Sequence, residues 1–336
     1  LAGSQFSPIA AKARLSTSSS AIVFRRREAD DVAYRALIPL SGKRSEAGKV
    51  DGTVLPRSSP DSTQAAGADR ATPNLDSGKN PYPAASELPT QLGPRGIRFD
   101  FNRGARLLLP NRRDGAWRVR LRDLDTHNVL FETENKGAVV ASAKRYYVRI
   151  GLEVHEVDDA GIVTEVFAHC FDAREREVLI QFPVGTIGDT LGWFPYAARF
   201  ATARGARVIC AMSGLLIPLL RDAYPHIRFV THEEAVAQEL ASRVYATYLL
   251  GLFFTDTENI FQPTDFRHVG LHRTAGYILG VDPHEEPPRL ALPDESRPIA
   301  EPYVCIATQS STQCKYWNNP RGWREVIGFI KTHGFR

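Results

Sequence analysis

No apolar run in these 336 residues approaches the roughly 18–20 that a helix needs to cross a bilayer. The longest candidate, Val244–Phe254 (VYATYLLGLFF), is too short and is expected to form a buried helix. Cysteine is scarce: Cys170, Cys210, Cys305 and Cys314 include no C-x-x-C pair. That spacing argues against a disulfide framework and against a zinc or iron site built from these four, and for reduced, buried thiols in a cytosolic protein. No charge sign dominates, with 42 Lys and Arg against 38 Asp and Glu. The net +4 lies largely in arginines scattered over the first half and gives no nucleic-acid footprint. His226, His232, His268, His272 and His284 lack H-E-x-x-H spacing, so no metal site is expected. Arg267, His268, His272 and Arg273 could line a cleft, although a solvated helix face is the preferred reading.

What remains is the composition of a soluble globular chain, 43% apolar and 24% charged, long enough for two or three domains. Residues 1–95 are expected to be a disordered extension. Segment 56–95, rich in Pro, Ser, Gly and Ala, buries too little apolar surface to offset the entropy of ordering. The Ser/Arg-rich first 30 residues have the composition of a transit peptide, although an unstructured or non-native extension is the preferred reading. The chain begins at Leu1, its only methionine is Met212, and it stops at Arg336, so a fragment or a mistranslated frame is expected.

Residues 96–178 carry period-two runs, among them GIRFDF (96–101), WRVRL (117–121) and RYYVRIGLE (145–153), separated by turn signals. They predict a small antiparallel β domain, a barrel or sandwich, with Arg118, Arg120 and Arg122 on its outer, solvated face, a polyanion-binding stripe being the less favoured reading. From 179 strand and helix alternate: strands at 179–183, 207–212 and 227–230, with helices at 189–203, 214–223, 232–254 and 267–280. This order predicts a doubly wound, Rossmann-like domain over 179–282, its last helix closed by Gly280. A Pro-rich linker at 283–302 follows, and 303–336 reads as the start of a second such domain, a strand at 303–307 and a helix at 322–331. The fold class expected is therefore α/β, with a small β domain in front.

Two stretches carry chemistry. In LIQFPVGTIGDTLGWFPY a strand runs into a turn containing Gly185, Thr186 and Gly188, and Asp189 follows at the start of a helix. Ligands of open α/β sheets bind at the carboxyl ends of the strands. A carboxylate there serves as a helix cap, as a base, or as both. The turn is neither a Walker loop nor G-x-G-x-x-G. In CIATQSSTQCKYWNNPRGW a strand ends in Thr308, Ser310 and Ser311, then Lys315. Hydroxyls and a lysine at a strand's carboxyl end suit phosphate oxygens, the bland reading being a solvated loop.

Together, G-T-I-G-D-T-L-G-W-F-P-Y-A at 185–197 and T-Q-S-S-T-Q-C-K-Y-W-N-N-P-R-G-W at 308–323 resemble the bacterial autotransporter heptosyltransferases. The β-rich lead-in at 96–149 is similar to that family's N-terminal domain, so the resemblance runs from about 96 to 336. More distantly, G-D-T-L and K-Y-W are similar to elements of the lipopolysaccharide heptosyltransferases.

The resemblance implies a GT-B glycosyltransferase of two Rossmann-like halves. It would act in the bacterial cytoplasm, moving heptose from ADP-heptose to serine hydroxyls of an autotransporter passenger. It implies Asp189 as catalytic base and Lys315, with Thr308, Ser310 and Ser311, as binders of donor phosphate. It also implies large homo-oligomers. The family's four-cysteine iron site falls in a portion beyond this chain's end, so no metal or cofactor is expected within it and transfer is expected to be impaired by truncation. The alternatives are a lipopolysaccharide-type heptosyltransferase or other GT-B enzyme, and an inactive protein-binding fragment.

Overall fold

A computed structural model describes residues 22–24, 82–183, 187–292, 296, 299–310 and 313–336. The strands are β1 (Ile22–Phe24), β2 (Gln91–Leu92), β3 (Arg98–Asn102), β4 (Arg106–Leu108), β5 (Ala116–Asp123), β6 (Val129–Asn135) and β7 (Val139–Ala141). They continue with β8 (Ile150–Val157), β9 (Val163–Cys170), β10 (Glu177–Gln181), β11 (Arg207–Ala211), β12 (Arg228–Val230), β13 (Ala246–Leu249) and β14 (Val304–Ile306). The helices are α1 (Ile187–Arg204), α2 (Ile217–Leu220), α3 (His232–Ala237), α4 (Phe266–Val269), α5 (Arg273–Leu279) and α6 (Gly322–Thr332). The chain falls into two compact units, residues 67–293 and residues 1–66 with 294–336.

In the larger unit the main sheet runs β12-β11-β10-β13-β3-β4-β7, with β2 also on β3. From β12 through β3 the strands are parallel, while β4 and β7 are antiparallel. Side chains alternate between faces along a strand. Val178 and Ile180 join a core with Trp193, Phe194 and Phe200 of α1 and with Ile278 and Leu279 of α5. Leu179 packs with Ile209, Val230 and Ala235 of α3. Helices therefore cover both faces, as a doubly wound sheet requires.

The expected boundary at 178/179 is not a break in this sheet. β3 pairs with β13 through Phe101↔Ala246 and Asn102↔Thr247, so strands from the supposed β domain extend the parallel sheet. Alternation in GIRFDF looks like a half-solvated strand, yet Asp100 and Asn102 are 0% and 1% exposed. Their polar groups are satisfied internally, which periodicity does not reveal. What stands apart is a four-stranded antiparallel sheet, β6-β5-β8-β9. Its Trp117, Val119 and Leu121 face the shared core. Arg118, Arg120 and Arg122 point outward, as expected, and pair with Glu134, Glu132 and Glu153 at 2.6, 3.1 and 3.1 Å. The stripe is thus neutralised along its own sheet, which weakens any polyanion reading.

Other expectations change. The run Val244–Phe254 is not a helix: it contains β13, every residue of which is buried, followed by Gly251. A short apolar run is ambiguous between buried helix and strand. The helix expected over 232–254 stops at Ala237, and that over 267–280 is split by Gly270, at φ +98. Gly280 does close α5 in the left-handed region, at φ +61. Of the four thiols only Cys210 is buried, and burial pushes it well up, whereas Cys170, Cys305 and Cys314 are exposed. The disordered reading of 1–95 holds neither for 82–95 nor for 22–24; the remainder, 1–21 and 25–81, lies outside the described residues. The Tyr82 hydroxyl donates to the Leu250 carbonyl at 2.7 Å, and Thr90 donates to Asp100 and to the Val244 carbonyl. The beginning of the Pro-rich stretch is also fastened down, since the Arg289 N–H donates to the Tyr224 hydroxyl and the Ala291 N–H to the Leu219 carbonyl.

β9 meets β3 through an aromatic cluster in which Phe99 lies 4.6 Å from the His169 ring. The Tyr245 hydroxyl accepts the Asp172 N–H at 3.0 Å and is hydrogen-bonded to His169 Nε2 at 2.9 Å. Burial, then the Arg176 charge, holds this imidazole below its ordinary value, with Asp172 opposing. Between the folded value and the unfolded value of about 6.5 the unfolded chain binds the extra proton. This contribution to stability is complete above about pH 6.5 and is lost as pH falls through the folded value. Urea melts should show that part of the acid loss disappearing in His169→Gln.

Candidate functional site

After β10 the chain steps outward through β11 to β12, then returns to place β13 on the other flank of β10. The carboxyl ends of β10 and β13 thus bound the switch point of the sheet, where such folds bind ligands. β10 ends at Gln181, 1% exposed, whose Oε1 accepts no hydrogen bond. The Phe182 carbonyl next in the chain is 2.7 Å from His232 Nε2, which assigns the proton to that nitrogen. His232 is fixed by a capping box at the start of α3: the Thr231 hydroxyl accepts the Glu234 N–H, and the Glu234 carboxylate accepts the Thr231 N–H. The T-x-x-E spacing at 231–234 was the sequence signal for it.

Asp189 is the third residue of α1 and is half-buried. It lies inside the first turn rather than at the residue that would cap it. Gly188, expected in the turn, is the second helical residue, and a Cβ there would meet nothing within 4 Å. The helix begins two residues earlier than the sequence suggests because Ile187 and Gly188 complete its first turn. Gly185 and Thr186 lie outside the described residues.

The helix face of Asp189 carries a neighbour that sequence reasoning assigned to solvent. A Cβ at Gly192 would stand 2.3 Å from His272 Cδ2 and 2.4 Å from Nε2, so the imidazole lies directly on the helix backbone. The Trp193 indole N–H donates to the Leu271 carbonyl at 2.7 Å and pins the residue before His272. Neither Asp189 nor His272 has a side-chain hydrogen bond or ion pair among the described residues. No sequence periodicity marks this pairing, which depends on a glycine 80 positions before its histidine.

The wall beyond β13 is preformed. Asp256 accepts the N–H groups of Ile260, Phe261 and Gln262 at 2.7, 2.8 and 3.0 Å. The Gln262 amide in turn donates to the Phe253 carbonyl at 2.9 Å. A loop of this length usually moves, and these bonds restrain it.

In the smaller unit β14 pairs antiparallel with β1, and the loop beyond its carboxyl end carries Thr308, Ser310 and Lys315. Thr308 and Lys315 are exposed, and Ser310 is half-buried; Ser311 lies outside the described residues. The loop returns through a built turn. Asn319 Oδ1 accepts the N–H groups of Arg321 and Gly322 at 3.1 and 3.0 Å. Trp317 lies on Gly322, 2.3 Å from where a Cβ would stand, and meets Trp323 edge-on at 5.1 Å. The two tryptophans thereby fix the end of a loop whose lysine stays free to meet an anion.

No group of three or more His, Cys, Asp or Glu among the described residues is placed to hold a metal ion. The four cysteines are free and spread over both units. The described residues therefore do not fit an iron site.

The doubly wound sheet is that of the α/β glycosyltransferase fold. Residues 93–158 match the model of the N-terminal domain of glycosyltransferase TibC. The chain is 50% identical over 254 residues to the autotransporter heptosyltransferase BAHTCr of Citrobacter rodentium, covering 74% of this chain and 58% of that protein. It is 45% identical over 280 residues to the inactive autotransporter heptosyltransferase BimC of Burkholderia thailandensis, covering 79% and 63%. The crystal structure of the iron-containing dodecameric glycosyltransferase TibC from enterotoxigenic E. coli superposes with TM-score 0.67 at 48% identity, over 75% of this chain and 63% of that one. A second TibC structure, in complex with ADP-D-beta-D-heptose, superposes with TM-score 0.66. The chain belongs to the autotransporter heptosyltransferase family. It spans about 60% of the length of these curated relatives.

Proposed function

We propose that this chain supplies the acceptor side, and the first element of the donor side, of a heptosyltransferase that glycosylates serine hydroxyls of an autotransporter passenger. The observation that carries the reading is Asp189: an unengaged carboxylate at the carboxyl end of β10, in a chain 48% identical to a TibC solved with ADP-heptose. A serine hydroxyl is a poor nucleophile near neutral pH, and a positioned carboxylate that accepts its proton raises its reactivity. The serine oxygen forms a bond to the anomeric carbon as the bond from that carbon to phosphate breaks. ADP leaves with the electron pair, and the hydroxyl proton goes to Asp189. Lys315, with the hydroxyls of Thr308, Ser310 and Ser311, would neutralise charge growing on the departing diphosphate.

The reading places the reaction in the cytoplasm, before the passenger is exported. It also includes self-assembly, as in the dodecameric TibC structure. In support, the edge strand β6 exposes Val129, Leu130 and Phe131 by 44 to 47%. An apolar strand edge left open is an association surface.

The test incubates the chain with ADP-heptose and a passenger polypeptide and follows mass. One heptose added per modified serine is expected, and none on a lipopolysaccharide core sugar. Modification of the core sugar alone would favour the lipopolysaccharide type. A second reading has its own observation, since a relative 45% identical is described as inactive. Co-purification with the passenger and no mass increase would select it.

A further inference from the structure

We propose that His272 is the positioning residue for Asp189, an inference that rests on the role of Asp189 proposed above. Asp189 and Gly192 are three residues apart on α1, and such residues are surface neighbours, with about 5–6 Å between Cβ positions. Helical Cα–Cβ bonds tilt toward the N-terminus. The position where a Gly192 Cβ would stand is therefore on the Asp189 side, and it is occupied by the Cδ2–Nε2 edge of His272. Glycine at 192 is what admits the ring, because any side chain there would overlap it.

Two anchors hold the imidazole in place. The Leu271 carbonyl is tied to the Trp193 indole. One turn along α5, Gly276 lets Tyr196 of α1 approach, its ring 3.1 Å from where a Cβ would stand. The nearest charged side chain on α5, Arg273, is turned to Glu285 at 3.3 Å and does not compete for Asp189. His272 thus lies on the face of α1 that carries Asp189, one turn along, with no hydrogen bond or ion pair between the two side chains in this structure. With a serine hydroxyl on one oxygen, a ring N–H of His272 donates to the other and fixes the carboxylate plane. The proton leaving serine still ends on Asp189, and His272 neither gains nor loses one.

Three variants of the full chain test this in the heptose-transfer assay. His272→Gln keeps a donor near the same place and should stay within about 3-fold of wild-type kcat. His272→Phe fills the slot without a donor, and Gly192→Ala expels the ring; each should lower kcat by about 10²-fold, the scale of a misplaced reacting group. The KM for ADP-heptose should not move. Wild-type kcat in His272→Phe would overturn the proposal while leaving Asp189 as base.

A readout without turnover separates the two readings. Adding a serine-containing passenger polypeptide should shift the side-chain nitrogen resonances of His272 in wild type and not in Asp189→Asn. The shift without turnover would uphold His272 and place the failure on the donor side. Absence of both would overturn the roles of His272 and Asp189 together.

Discussion

Replacing Asp189 by Asn is expected to lower heptose transfer by about 10²–10⁴-fold, the usual contribution of a positioned general base. Asparagine matches the carboxylate in shape and removes only its charge and its ability to take a proton. Two roles compete for this residue, and the substitution separates them. If Asp189 served only to complement the dipole of α1, its loss would cost about 0.3–1 kcal/mol of stability and little activity. If it accepts the serine proton, activity collapses while the melting temperature scarcely moves. ADP-heptose affinity should be preserved, because in this reading Asp189 contacts the acceptor. Turnover of Asp189→Asn within about 10-fold of wild type would remove it as the base. Parallel loss of stability and activity would return it to a structural role.

The sequence shows Asp189 because strand, turn and helix are local features. β10, α1 and β11 each carry their own periodicity, and a carboxylate at that junction is legible without knowing the rest. The Lys315 loop is legible for the same reason. Features that depend on distant partners were not. β3 was assigned to a separate domain because Asp100 and Asn102 look solvent-facing, and their partners Arg106 and Thr247 lie up to 145 positions away. β13 was read as helix because a four-residue strand inside an apolar run shows no decisive period. His272 was assigned to solvent because its contact is a missing side chain, Gly192. Local chemistry marked the candidate carboxylate, whereas the histidine packed on its helix emerged only from the fold.

Asp100→Ala should destabilise the larger unit by about 3–5 kcal/mol, the cost of stranding a buried charge. Asp100 is 0% exposed, and its carboxylate accepts five hydrogen bonds. Arg106 supplies two of them, from Nε at 2.8 Å and Nη2 at 2.6 Å. The others come from the Thr90 N–H and from the backbone and side-chain amides of Asn102. Asn102 continues the network, accepting the Thr247 hydroxyl of β13 at 2.7 Å. β3 and β13 share only two residue pairs, so this polar chain fixes the register by which the antiparallel strands join the parallel sheet. With alanine at 100, an arginine whose side chain is 13% exposed keeps only the Ser86 carbonyl as partner. A domain is stable by roughly 5–15 kcal/mol, so the loss is a large share, read as a fall of on the order of 10 °C in Tm. Removing both charges is a different matter, since apolar residues of similar volume often replace a buried pair without cost. Asp100→Leu with Arg106→Met should therefore recover most of the stability that either charge deletion loses. A double variant no better than Asp100→Ala would mean that Thr90 and Asn102, not the ion pair, set the cost. The same network borders β13, whose carboxyl end forms one wall of the switch point, so Asp100→Ala should also weaken acceptor binding below its melting range.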